Sequence, residues 1–199
     1  MPEGAISGQG DVLDRKRIRF LFGRLDEKMH EAGVEASIFV VGGAAVALTL
    51  NERRVTNDID GKYENPELDP LIHAMAQEEG LSSQWLNHSI NTVLSYFRED
   101  DEPKTLFVGK NLTIQVASPE YVLAMKLAAR REKDVRDVVL LVNKLGIASR
   151  EELIKVVMRY FKADLSAVAH QRQLIEEFID LIIEERLLEF PDSFSAFES

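Results

Sequence analysis

Apolar residues recur at helical spacing over residues 12–32, where Leu13, Ile18, Phe20, Leu21, Leu25 and Met29 form a stripe and Gly33 supplies a stop. The period then changes. Ser37-Ile38-Phe39-Val40-Val41 is a β-branched and aromatic run that predicts a buried strand, and Gly42-Gly43 turns the chain into a small-residue helix over 44–50. Polar and apolar positions alternate over 58–63, which predicts a second strand. Pro66 opens a helix that runs to Glu79 and ends at Gly80, whereas 81–101 shows no regular period. Residues 105–108 and 112–116, joined by Gly109-Lys110-Asn111, read as a hairpin. Everything after residue 117 is helical. Ser118-Pro119-Glu120 places cap, first-turn proline and early acid in order for a helix to about residue 131. A second helix runs from about 133 to Gly146, Ser149-Arg150-Glu151-Glu152 is a capping box for a third, and a long last helix covers about 165–188. The pattern predicts an α+β core over 11–117, a helical subdomain over 118–190, a flexible start at 1–10 and a tail at 191–199.

Composition narrows the function classes. The 199 residues are 45% apolar, enough for a substantial core. Acidic residues outnumber basic ones by 34 to 24, and the net charge of -10 excludes a chain that coats nucleic acid through a generally cationic surface. A local basic groove is still compatible with it. There is no cysteine, so disulfides, thiolate metal sites and thiol nucleophiles are excluded. His30, His73, His88 and His170 show no zinc-ligand spacing. The first ten residues lack the apolar core of a signal peptide, and the uncharged stretch at 36–50 is shorter than the roughly twenty residues a bilayer span needs. The expectation is a soluble, cytoplasmic protein with no membrane association.

The candidate chemistry lies where the strand meets the paired glycines. A strand that runs through Gly42-Gly43 into a helix presents backbone N–H groups with little side-chain obstruction, an arrangement that cradles phosphate. Downstream, Arg54-Val55-Thr56-Asn57-Asp58-Ile59-Asp60 places two carboxylates two residues apart on a strand, hence on one side. Paired carboxylates suit a hard divalent cation such as Mg²⁺. Separately, a Gly-Gly turn and a solvated Asp-x-Asp strand end are ordinary features. In this order they meet the needs of phosphoryl or nucleotidyl transfer. Lys126 and Asp137, with Asp134 one turn before Asp137, are a second charged group on the helical segment. Their ordinary reading is a row of surface ion pairs with Arg130 and Arg131. The basic cluster Arg15, Lys16, Arg17 and Arg19 reads as a solvated helix face.

Gly42-Gly43 followed by Arg54-x-Thr56-x-Asp58-Ile59-Asp60 resembles the signature of the DNA polymerase β nucleotidyltransferase superfamily. Ala117-Ser118-Pro119-Glu120, Lys126-Leu127-Ala128 and Arg131-x-Lys133-Asp134-x-x-Asp137 are similar to one bacterial branch. That branch holds the abortive-infection E-type toxins of type IV toxin–antitoxin systems and their uncharacterised relatives, which Trp85-Leu86-Asn87 after Gly80-Leu81 also resembles. The resemblance covers about residues 36–146. It implies a nucleotidyltransferase-fold mixed sheet flanked by helices, an NTP substrate and Mg²⁺, with Mn²⁺ as a substitute. Asp58 and Asp60 would be catalytic metal ligands. Gly42, Gly43, Arg54 and Thr56 would lie at the nucleotide, and Lys126 and Asp137 would fall on the later catalytic motifs. The chain departs from the superfamily in two places: the interval from Gly43 to Asp58 is slightly longer than usual, and the strand at 112–116 offers Thr113 and Gln115 where classical members carry a third carboxylate.

Two functions follow as expectations. One is a Mg²⁺-dependent enzyme that moves NMP from an NTP to a hydroxyl of RNA (such as tRNA) or protein, in the manner of a toxin with a cognate antitoxin. The other is a nucleotide-binding or partner-binding module on the same fold without catalysis. The apolar stripe through Leu174, Ile175, Phe178, Ile179, Leu181 and Ile182, with Phe190, Phe194 and Phe197 beyond it, also allows a homodimer through the C-terminal helices.

Overall fold

The computed structural model describes residues 12–50, 53–162, 167–185 and 187–190. The expectations for the first ten residues, for Leu165, Phe194 and Phe197 and for the tail lie outside them. The chain divides into two compact units, one of residues 1–89 and 105–115 and the other of residues 90–104 and 116–199.

The first unit is built on helix α1 (Arg15–Ala32), strand β1 (Ala36–Val40), helix α2 (Gly42–Thr49), strand β2 (Ile59–Lys62), helix α3 (Leu68–Glu79), strand β3 (Leu86–Asn87) and the hairpin of β4 (Lys104–Val108) and β5 (Leu112–Val116). The sheet order is β3-β2-β1-β5-β4, with β1 antiparallel to β2 and β2 parallel to β3. It is the mixed, helix-flanked α+β sheet that the sequence predicts. Helix α1 begins three residues later than its periodicity suggests. Asp14 caps it by accepting the Arg17 N–H at 2.7 Å, which leaves Leu13 extended to pair with Thr56. The sequence shows no period over 81–101, yet Leu86 and Asn87 pair there as β3, with the Trp85 carbonyl accepting the Ile59 N–H at 2.7 Å. A two-residue strand is too short to display an alternation.

Ile18, Leu21, Phe22, Leu25 and Met29 of α1 and Leu68, Ile72 and Met75 of α3 bury against Ile38, Val40, Ile59 and Ile114 of the sheet. Trp85 is fully buried and donates its indole N–H to the Ile72 carbonyl at 3.1 Å, so the polar tip of the largest core residue is satisfied. Lys28 to Glu78 at 2.6 Å and Arg17 to Glu79 at 3.0 Å tie α1 to α3 at the surface. That disposes of part of the helix's basic face in ordinary ion pairs.

Asp26 carries a structural role that periodicity does not disclose. It is buried on α1, and its carboxylate accepts the backbone N–H groups of Lys110 at 3.0 Å, Asn111 at 2.8 Å and Leu112 at 2.9 Å. The β4–β5 turn is thereby wrapped around one side chain. Gly109 is required next to it, because a side chain there would collide with the Asp26 carboxylate. Burial pushes the Asp26 carboxyl up, but the backbone donors of Asn111, Lys110 and Leu112 outweigh it and hold it below the usual carboxylate value.

The second unit contains α4 (Asn91–Leu94), α5 (Pro119–Ala129), the 3₁₀ turn Glu132–Asp134, α6 (Val135–Leu145), α7 (Arg150–Arg159) and α8 (Ala167–Glu184). Helix α5 is the hub and packs against α6, α7 and α8. The sequence reading placed residues 90–104 in the α+β core, whereas in the structure they group with the helices. Aromatic packing explains the difference. Phe97 lies 4.7 Å from Phe161 and 5.8 Å from Tyr121, and the Arg98 N–H donates to the Tyr160 carbonyl at 2.7 Å. The Asp100 carboxylate accepts the Ser118 N–H at 2.6 Å and its hydroxyl at 2.9 Å, which secures the start of α5. Ser118 itself accepts the Tyr121 N–H, as its capping pattern predicts. Among the described residues no helix is long and apolar enough to cross a membrane.

Asp26→Ala removes the acceptor for three backbone donors and is expected to cost about 3 kcal/mol or more, read as a lower denaturation midpoint. Because the folded-state carboxyl value is depressed, the wild-type contribution is fully present above the unfolded value near 3.8 and is lost as pH falls through the lower folded value. The stability gap between Asp26→Ala and wild type is therefore expected to narrow in acid melts below about pH 4.

Candidate active site

Strand β1 ends at Val41, still extended at φ -127°, and the chain enters α2 through Gly42 at φ +64°. That left-handed backbone favours glycine, and space demands it as well. A Cβ at Gly42 would come within 2.9 Å of Asp60 Oδ2, and one at Gly43 within 3.0 Å of the Thr56 hydroxyl oxygen. The pairing of β1 with β2 enforces this approach. Val40 lies opposite Gly61, and the Val41 N–H donates to the Asp60 carbonyl at 3.0 Å. Thr56 is fixed in turn by its bridge to Leu13, with hydrogen bonds of 2.7 and 3.0 Å, and its hydroxyl lies 3.5 Å from Asp58 Oδ1. Gly42, Gly43, Thr56, Asp58 and Asp60 thus form one contiguous group. Asp58 is exposed and Asp60 half-buried, while Ala44 through Leu48 of α2 are buried. Arg54 is half-buried on the segment leading to Thr56.

This geometry has a chemical use. Val41 gives α2 no side-chain cap, so the positive end of the helix dipole and its first N–H groups mark the place where an anion is best accommodated. Beside it stand the hard oxygen donors of Asp58 and Asp60. Among the described residues no three or more His, Cys, Asp or Glu side chains gather in a way that could hold a metal unaided. Mg²⁺ does not need such a cage, since it is commonly held by one or two carboxylates together with substrate phosphates and water. The donor set and the cradle that a Cβ would fill fit that ion. On β5, Thr113 and Gln115 alternate with buried Leu112, Ile114 and Val116 and so share the half-exposed face, where a third carboxylate is missing.

The second unit holds the other charged candidates. Lys126 is buried on α5 and its ammonium lies 2.6 Å from Asp134 Oδ1 and 2.8 Å from Asp137 Oδ2, both buried as well. The ordinary reading of Asp134 and Asp137 as surface partners of Arg130 and Arg131 is corrected by this. The chain turns sharply at Arg130, left-handed at φ 49°, and the short 3₁₀ turn that follows delivers both carboxylates to Lys126. Helix periodicity alone does not reveal that turn. Arg130 instead reaches Gln171 on α8 at 3.0 Å.

Asn87 is a residue that the motif reasoning did not single out for chemistry. The parallel register pairs Asp60 with Asn87, so both side chains leave the same face of the sheet. The only sequence sign was its place after Trp85-Leu86.

The family model described as "Nucleotidyltransferase of unknown function (DUF6036)" matches residues 19–182. No curated protein matches the chain. Among solved structures, the chain is similar to an antigenic nucleotidyltransferase-like protein from Paracoccidioides brasiliensis, at 15% identity and a TM-score of 0.50 over 88% of this chain and 91% of that one. At that identity the likeness concerns the fold.

Two substitutions test the local geometry. Gly42→Ala is expected to lose about 1–2 kcal/mol from its left-handed backbone, with a further loss as Asp60 is displaced, measurable by chemical denaturation. Lys126→Ala leaves two buried carboxylates without their cation and is expected to cost about 3–5 kcal/mol, against no more than about 0.5 kcal/mol for Lys133→Ala on the exposed turn.

Proposed function

The chain belongs to the nucleotidyltransferase family of unknown function whose model it matches, and from that membership we propose that it transfers NMP from an NTP to a hydroxyl acceptor. The observation that carries the reading is the approach of Asp60 to Gly42, which sets a carboxylate beside the uncapped start of α2. The N–H groups of Gly42 and Gly43 hold triphosphate oxygens, and Thr56 orients Asp58. Asp58 and Asp60 hold Mg²⁺ or Mn²⁺, which when bound neutralises the triphosphate and stabilises the leaving pyrophosphate. The acceptor oxygen forms a bond to the α-phosphorus as the bond from that phosphorus to the β-bridging oxygen breaks. Pyrophosphate departs, and the hydroxyl proton passes to water through the exposed Asp58. Arg54 adds positive charge on the approach to this group. The Lys126–Asp134–Asp137 cluster orders the α5–α6 turn, and its part in catalysis follows from the family resemblance.

RNA, such as tRNA, or a protein side chain is the acceptor class. A toxin role with a cognate antitoxin rests on the resemblance of the segment from Ala117 to Asp137. The second reading, an inactive nucleotide-binding module, is favoured by the carboxylate missing from β5.

The test incubates the protein with labelled NTPs, Mg²⁺ or Mn²⁺, total RNA and lysate protein. Wild type is expected to transfer label and to gain melting temperature with Mg²⁺ and NTP. Asp58→Asn/Asp60→Asn is expected to lose both, and to relieve any growth arrest on expression. Its ligand-free melting temperature should hold or rise, because two neighbouring negative charges are removed. Label transfer retained by the double variant would refute the assignment. Stabilisation by NTP without transfer in wild type would establish the second reading.

A further inference from the structure

A cleft of about 400 Å³ opens in the first unit beside the parallel pair β2 and β3. Its walls include Tyr63, directly after β2, His88, directly after β3, and the side-chain amides of Gln84 and Asn87. The Tyr63 ring is buried and fixed by its hydroxyl, which donates to Asp69 at 2.8 Å, and His88 packs against it with ring centroids 5.2 Å apart and planes inclined at 63°. Asn87 is held by Ser89, whose backbone N–H donates to its side-chain oxygen at 3.1 Å, while its amide nitrogen reaches the Gln84 carbonyl only at 3.5 Å. Aromatic rings beside side-chain amides are the combination that stacks and hydrogen-bonds a flat heterocycle. The volume lies in the usual range of small-ligand pockets.

Position adds a second argument. Asn87 lines the cleft and is also the register partner of Asp60. Tyr63 follows Asp60 by three residues, a separation of roughly 10 Å along an extended chain. That is the reach from a nucleotide's phosphate to its base. We propose that this cleft holds the nucleobase of a nucleotide whose phosphate end lies at Asp60. The placement of the phosphate rests on the transferase reading above, whereas the base pocket stands on its own walls. The nucleoside belongs either to the NTP donor or to the end of an RNA acceptor.

Ser83 is exposed on the rim, so Ser83→Trp fills the cleft from outside without entering the core. Binding is measured for the four NTPs with Mg²⁺, for trinucleotides with a free 3′-hydroxyl, and for Mg²⁺-tripolyphosphate, which has no base. Ser83→Trp is expected to weaken the NTPs or the trinucleotides at least tenfold and to leave tripolyphosphate unchanged. Loss confined to NTPs assigns the cleft to the donor, and loss confined to trinucleotides assigns it to the acceptor. Gln84→Ala, also exposed, is expected to weaken the same ligands several-fold and guards against misfolding of the tryptophan variant. Unchanged affinity for every base-bearing ligand in both variants, or no binding of any of them to wild type, overturns the proposal. Tripolyphosphate binding that is indifferent to Asp58→Asn/Asp60→Asn would instead defeat the transferase reading and leave the cleft result standing.

Discussion

The closest constraint in the α+β unit is the contact between a backbone without a side chain and a carboxylate. Asp60 can lie against the start of α2 because Gly42 has no Cβ to displace it, and Gly42 can hold its left-handed turn for the same reason. Antiparallel pairing of β1 with β2 sets the register that forces the approach, and the buried alanines of α2 let the helix lie close beneath it. A helix start left uncapped and a carboxylate pressed beside it are each unfavourable for an isolated protein. Together they describe a site that a polyanion with its cation completes.

The rest of the unit serves to hold that arrangement. Leu13 pairs with Thr56 and so anchors the loop that carries Asp58. Trp85 fills the core and delivers the short strand β3 to the edge beside β2, which sets Asn87 next to Asp60. Asp26 performs an analogous task at the other side of the sheet, where one carboxylate organises the turn between β4 and β5. In the helical unit the buried Lys126 draws Asp134 and Asp137 together across the sharp turn at Arg130. Each device has a charged or polar group satisfied at close range, as burial requires.

Much of this was legible in the sequence, for identifiable reasons. Gly42-Gly43, Ser118-Pro119 and Ser149 act through local backbone chemistry, so their turns and caps follow from the residues themselves. Asp58 and Asp60 could be placed together because strand alternation relates positions two apart. The less legible features are tertiary. Strand β3 is too short to show a period, Asp26 acts on residues more than eighty positions away, and the contact of Phe97 with Phe161 takes residues 90–104 into the helical unit. Lys126 and its two acids lay in the sequence as candidates, but their burial as one cluster depends on a left-handed Arg130 that no propensity predicts.

The most direct test is crystallographic: the protein with Mn²⁺ and a non-hydrolysable NTP, with the cation located by its anomalous signal. The account predicts a peak within coordinating distance of both Asp58 and Asp60 carboxylates, with triphosphate oxygens on the N–H groups of Gly42 and Gly43. A nucleotide and cation bound elsewhere, with this pair and the start of α2 untouched, would contradict it.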